Sequence, residues 1–117
     1  MRPIAAFVAL LTTSTAGVAC EPSAPAPTNP WAAAQANLGR AQAGGAPGVP
    51  DANLHLQFAI EDMQKCKQLM GHDNERAASL CALASSEAEL ALSLAKQVVA
   101  QGEALQAQSE LKNAGSQ

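Results

Sequence analysis

Along residues 51–70, DANLHLQFAIEDMQKCKQLM, the apolar positions fall on two stripes. At about 100° per residue, Leu56, Ala59, Ile60, Met63, Cys66 and Met70 share one face of a helix, and Leu54, Phe58 and Leu69 lie nearly opposite. Two apolar stripes imply two neighbours. The first stripe predicts packing against a following helix, and the second predicts contact with a short preceding helix or with a partner protein. Asp51 is the expected N-cap and Gly71 the expected stop.

The pattern resumes after GHDN, where Asp73 or Asn74 caps the next segment and Glu75 stands in its first turn, a position the helix dipole favours for a carboxylate. Through residues 74–111, Ala77, Leu80, Cys81, Ala84, Ala88, Ala91, Ala95, Val98 and Val99 form one continuous face, flanked by Leu83, Leu90, Leu94 and Leu105. Ser79, Ser86, Glu89, Ser93 and Lys96 fall opposite, toward water. Upstream, Asn29 and Pro30 read as N-cap and first helical residue of a short, weakly amphipathic helix over 30–43, ended by Gly44 and Gly45. The expected fold is all-α: an antiparallel two-helix hairpin plus a short N-terminal helix, with residues 113–117 a disordered tail.

Composition supports helices over sheets. The 117 residues are 48% hydrophobic yet contain one Trp, two Phe and no Tyr, so the apolar content is mainly Ala and Leu. Small side chains let helices approach at the close end of the usual spacing. Seven basic and ten acidic side chains leave a net charge of −3 with no basic cluster, which excludes the electrostatic footprint of nucleic-acid binding.

The first 19 residues have another logic. Met1-Arg2 is a short positive region, Ile4 to Leu11 an apolar one and TTSTAGVA a run of small residues, the three-part layout of a signal peptide. The apolar run falls well short of the roughly 20 residues that cross a bilayer. GVAC then resembles a bacterial lipobox, whose cysteine becomes the mature N-terminus and carries acyl chains. Cys20 is the lipidation candidate. Gly17 stands where that pattern usually has Leu, which keeps ordinary cleavage after Ala16 or Ala19 as the alternative. Residues 20–29 continue as a Pro/Ala-rich tether that neither forms a helix nor buries a core. In lipoproteins of this kind a residue other than Asp after the cysteine implies sorting to the outer membrane, and Glu21 occupies that place.

DANLHLQFAIEDMQKCKQLM, the DNERA that opens the next helix and SSEAELALSLAKQ together resemble the bacterial envelope lipoproteins grouped as domain-of-unknown-function family 4398. The likeness covers roughly residues 30–110. It implies a helical, surface-tethered module and brings no catalytic residues. Cys66 and Cys81 are a departure from the family's pattern.

Those two cysteines are the candidates for covalent chemistry. Export carries them to an oxidising compartment, and lipid on Cys20 leaves an even pair. With the turn centred near His72 and Asp73, Cys66 falls level with Ser79, about two residues or roughly 3 Å of helix rise from Cys81. A disulfide and two buried free thiols are both compatible with that register; a redox or metal role is disfavoured, because C-x14-C is not zinc-ligand spacing and C-x-x-C is absent. His72, with Asp73 and Glu75, reads as a capped helix start rather than a metal site. His55 lies level with Glu87, which suggests a polar pair at the edge of the packed face. Glu61 and Asp62 are adjacent and diverge on a helix, and Ser85 and Ser86 have no His within reach.

These observations point to no enzyme, cofactor or metal. They favour a non-enzymatic lipoprotein, exported to the cell envelope and anchored by Cys20 at the periplasmic face of the outer membrane, with a structural or protein-binding role. The partners implied are the membrane and an unidentified envelope protein, and a second copy of the chain is one occupant the Leu54, Phe58, Leu69 stripe admits. The alternative is a secreted, unanchored helical binding protein, such as an inhibitor or chaperone.

Overall fold

The protein is described by a computed structural model covering residues 24–117; the expected signal peptide, Cys20 and the first part of the tether lie outside these residues. Three α-helices follow in order, α1 (Thr28–Ala43), α2 (Pro50–Leu69) and α3 (Asn74–Gly115), with a 3-10 turn at Ala46–Gly48. No strand occurs among the described residues.

The helix starts differ from the expected ones in a consistent way. Pro27, not Asn29, occupies the cap position of α1, and Val49, not Asp51, that of α2; neither makes a side-chain cap. Proline within the first turn lacks only an N–H that would be unpartnered there, so each helix begins before its polar candidate. Asp51 instead sits in the first turn of α2, beside the positive end of the dipole. The tether accordingly ends at Pro27, which is buried, rather than at Asn29. Asp73 does cap α3, its Oδ1 accepting from the Arg76 N–H at 3.1 Å. The α2–α3 turn closes through Gly71, whose φ of +86° belongs to the left-handed region, while the His72 and Asp73 N–H groups donate to the Leu69 carbonyl.

α2 and α3 run antiparallel: Cys66 packs with Ala77 and Cys81 at the turn, while Ala52 and Leu56 pack with Ala91 and Ala95 at the far end. α1 lies across one side of this pair, placing Ala34 and half-buried Trp31 and Leu38 against Met63 and Ala84. Ten of the fourteen buried apolar residues are alanines. Each removes little area from water, so the helices gain contact through closeness rather than bulk. The end of α1 shows how close: a Cβ added at Gly44 would collide with the Leu92 side chain and stand 3.0 Å from the Arg40 carbonyl.

The structure differs from the expected packing in several places. Val98 and Val99 do not join the packed face; both are exposed, because α2 begins level with Ala95 and α3 runs on alone. Leu54 and Phe58 do not meet α1 either, remaining 52% and 41% exposed, since α1 takes the other side of α2 near Ile60 and Met63. Leu69, the third member of that stripe, packs instead beside the cysteines. Lastly, α3 reaches Gly115, beyond the expected end at 111, so most of the supposed tail is helical.

Candidate functional site

The features that chemistry could use gather at the turn end of α2 and α3. Cys66 and Cys81 are fully buried and stand at disulfide distance, with Cα atoms 5.5 Å apart. This separation lies inside the range a bridge requires. Ala77 and the half-buried Trp31, Leu69, Met70 and Leu80 enclose the pair, leaving the sulfurs no route to a substrate.

One side chain connects this end to the incoming chain. The Asn74 Oδ1 accepts from the Gly71 N–H at 2.7 Å, and its Nδ2 donates to the Ala24 carbonyl at 2.6 Å. Residues 24–30 thus lie along the first turns of α3, forming an open groove with Asn74, Glu75, Ala78 and Ser79. Expected only as an alternative cap, Asn74 instead ties the turn and the tether together.

The polar centre of the bundle was not anticipated from the pattern. Asn37, nearly buried on α1, donates through Nδ2 to Ser85 Oγ and Glu89 Oε1, each at 2.7 Å, and its Oδ1 accepts from Arg40 Nη1 at 2.8 Å. Glu89 therefore reaches back to α1 rather than simply facing water. The available signal was the spacing Ala34, Asn37, Ala41, which puts one amide in the middle of a small-residue stripe.

His55 and Glu87 do meet, with Nδ1 and Oε2 2.6 Å apart, and the edge of Phe58 stands against the imidazole at a centroid distance of 6.1 Å. The pair is partly exposed and fastens α2 to α3. At the turn, His72, Asp73 and Glu75 line a shallow groove, but the Asp73 carboxylate is committed to the cap. Among the described residues no group of three or more His, Cys, Asp or Glu is placed to hold a metal ion. Ser86 donates to the Ala82 carbonyl, and Lys65 bridges Asp62 at 3.4 Å on the surface. A second open groove, of about 410 Å³ between α1 and α2, is lined by Trp31, Leu38, Ile60 and Met63 with Gln35, Gln64 and Lys67 at its rim.

α3 contains an 18-residue window of mean hydropathy 1.2, long and apolar enough to cross a membrane by length and composition. In this fold its Ala77 to Ala95 face is buried against α1 and α2, while Leu83 and Leu90 on its other side stay exposed. Compared with known proteins, the chain matches no family model, no curated protein and no solved structure.

Proposed function

We propose that this chain is a non-enzymatic envelope lipoprotein, in which lipid on Cys20 anchors a small helical module to the outer membrane for a structural or protein-binding role. The observation that carries this reading is cysteine arithmetic. The chain has three cysteines. Cys66 and Cys81 answer each other at disulfide distance, which leaves Cys20, at the end of GVAC and ahead of a proline-rich spacer, for a different fate. An oxidising compartment would also close the Cys66–Cys81 bridge, so the pair and the anchor support one location.

Grooves that lie open to solvent, together with the buried sulfurs, favour binding over catalysis. Metabolic labelling with a fatty-acid analogue tests the anchor: label retained by the native chain and lost in Cys20→Ser supports it, and an unlabelled native chain refutes it. The secreted, unanchored binder remains the rival reading because Leu54 and Phe58 are exposed on the side of α2 away from α1. That reading predicts the unlabelled result.

A further inference from the structure

We propose that the α2–α3 turn is the membrane-facing end of the domain, so that α3 rises from the lipid surface and carries its C-terminal half away from it. The inference rests on lipid at Cys20 and adds the direction in which the module points. Asn74 fixes the incoming chain to the turn, holding Ala24 within hydrogen-bond distance of the first residue of α3. Pro27 is buried a few residues later, so the contact belongs to the domain's packed entry and not to a loose end. Between Cys20 and Ala24 lie only four residue steps, which span at most about 14 Å fully extended. Whatever path those steps take, the turn stays next to the surface that holds Cys20.

The opposite end is distant. α3 has 42 residues, and at 1.5 Å per residue it is about 63 Å long. A short leash alone also permits the module to lie flat, with the exposed side of α3 against lipid. The residues argue against that pose. The exposed apolar positions of α3, Leu83, Leu90, Val98, Val99, Leu105 and Leu111, are interrupted by Glu87, Gln97, Gln101 and Gln108, and beyond the bundle the charges Lys96, Glu103, Glu110 and Lys112 cancel. A helix that binds a membrane surface needs a broader apolar face and a cationic polar one. Around the turn, Lys67, Arg76, His72, Asp73 and Glu75 are likewise of mixed sign, so the leash and not charge holds this end down.

The single Trp supplies the probe, since Trp31 sits in the first turn of α1 beside the Cys66–Cys81 pair, near the proposed base. The acylated protein is placed in vesicles containing a dansyl-headgroup lipid, and energy transfer is compared between the native chain and Ser116→Trp, which keeps Trp31 in its packed place. Transfer from Trp31 should be several-fold more efficient than transfer for the emission added by Ser116→Trp. Equal transfer from both positions, or greater transfer from position 116, overturns the orientation. Intact mass of the same sample separates the two claims: an unmodified Cys20 removes anchor and orientation together, whereas an acylated Cys20 with equal transfer removes the orientation alone.

Discussion

Cys66 on α2 and Cys81 on α3 face each other across the closed end of the hairpin, their Cα atoms 5.5 Å apart and 15 residues apart in sequence. Bridging them closes a short loop and should stabilise the fold by about 3 kcal/mol in the chain-entropy model. That is a large share of what so small a core supplies. Reduction, or the double substitution of both by Ser, should lower the melting temperature clearly. Thiol counting on the non-reduced, denatured protein should find neither sulfhydryl free. Two free thiols, or a bond between chains, would contradict the pairing.

Alanine at the helix contacts makes a further test. Ala88 on α3 is fully buried, and Ala88→Leu should cost about 1–3 kcal/mol through overpacking, measured by urea unfolding. Ala82, exposed on the same helix, is the control, and Ala82→Leu should stay within about 0.5 kcal/mol. Equal effects at the two positions would mean that the helices do not meet along the small-residue face.

Asn37 fastens α1 to α3 through Ser85 and Glu89. Asn37→Ala should destabilise by about 1–2 kcal/mol, toward the lower end because Glu89 is open to solvent. Faster amide exchange should be concentrated in α1. A variant as stable as the native chain would show that the amide network contributes nothing.

The free part of α3 should behave as a separate element. Every residue from Lys96 onward is exposed, with Leu105 at 67% and Leu111 at 73%. This stretch continues a packed helix and needs no new nucleus, but with Gly102 in it and no tertiary contact it is held by helix propensity alone. Deleting residues 103–117 should therefore leave the melting temperature unchanged, while amides in this stretch exchange quickly. Strong protection there, or a loss of more than about 1 kcal/mol on deletion, would mean that a partner or a second copy covers it.

What the sequence made legible was whatever depends on local chemistry or on one helix's periodicity. Asp73 as a cap, Gly71 as the end of α2, the Ala77 to Ala95 face and the His55–Glu87 register all follow from such rules. Facts that depend on where one helix lies relative to another were not legible. Leu54 and Phe58 pattern as a stripe for α1 or for a partner protein, and the placement of α1 on the far side of α2 leaves them without that helix. Val98 and Val99 continue the face of α3 faultlessly, and it is the start of α2 at Pro50 that deprives them of a neighbour. Asn37 needed Ser85 and Glu89 brought to it from 48 and 52 residues away. Asn74 looked like a cap, and its hold on Ala24 depends on the path of the tether.

The claim on which the functional account turns is the fate of Cys20, and intact mass spectrometry of the mature protein purified from membranes addresses it directly. The account predicts a polypeptide that begins at Cys20, carries acyl chains on that residue and loses two further mass units to the Cys66–Cys81 bridge. A mature chain beginning at Gly17, or one that retains an unmodified Cys20, would contradict it.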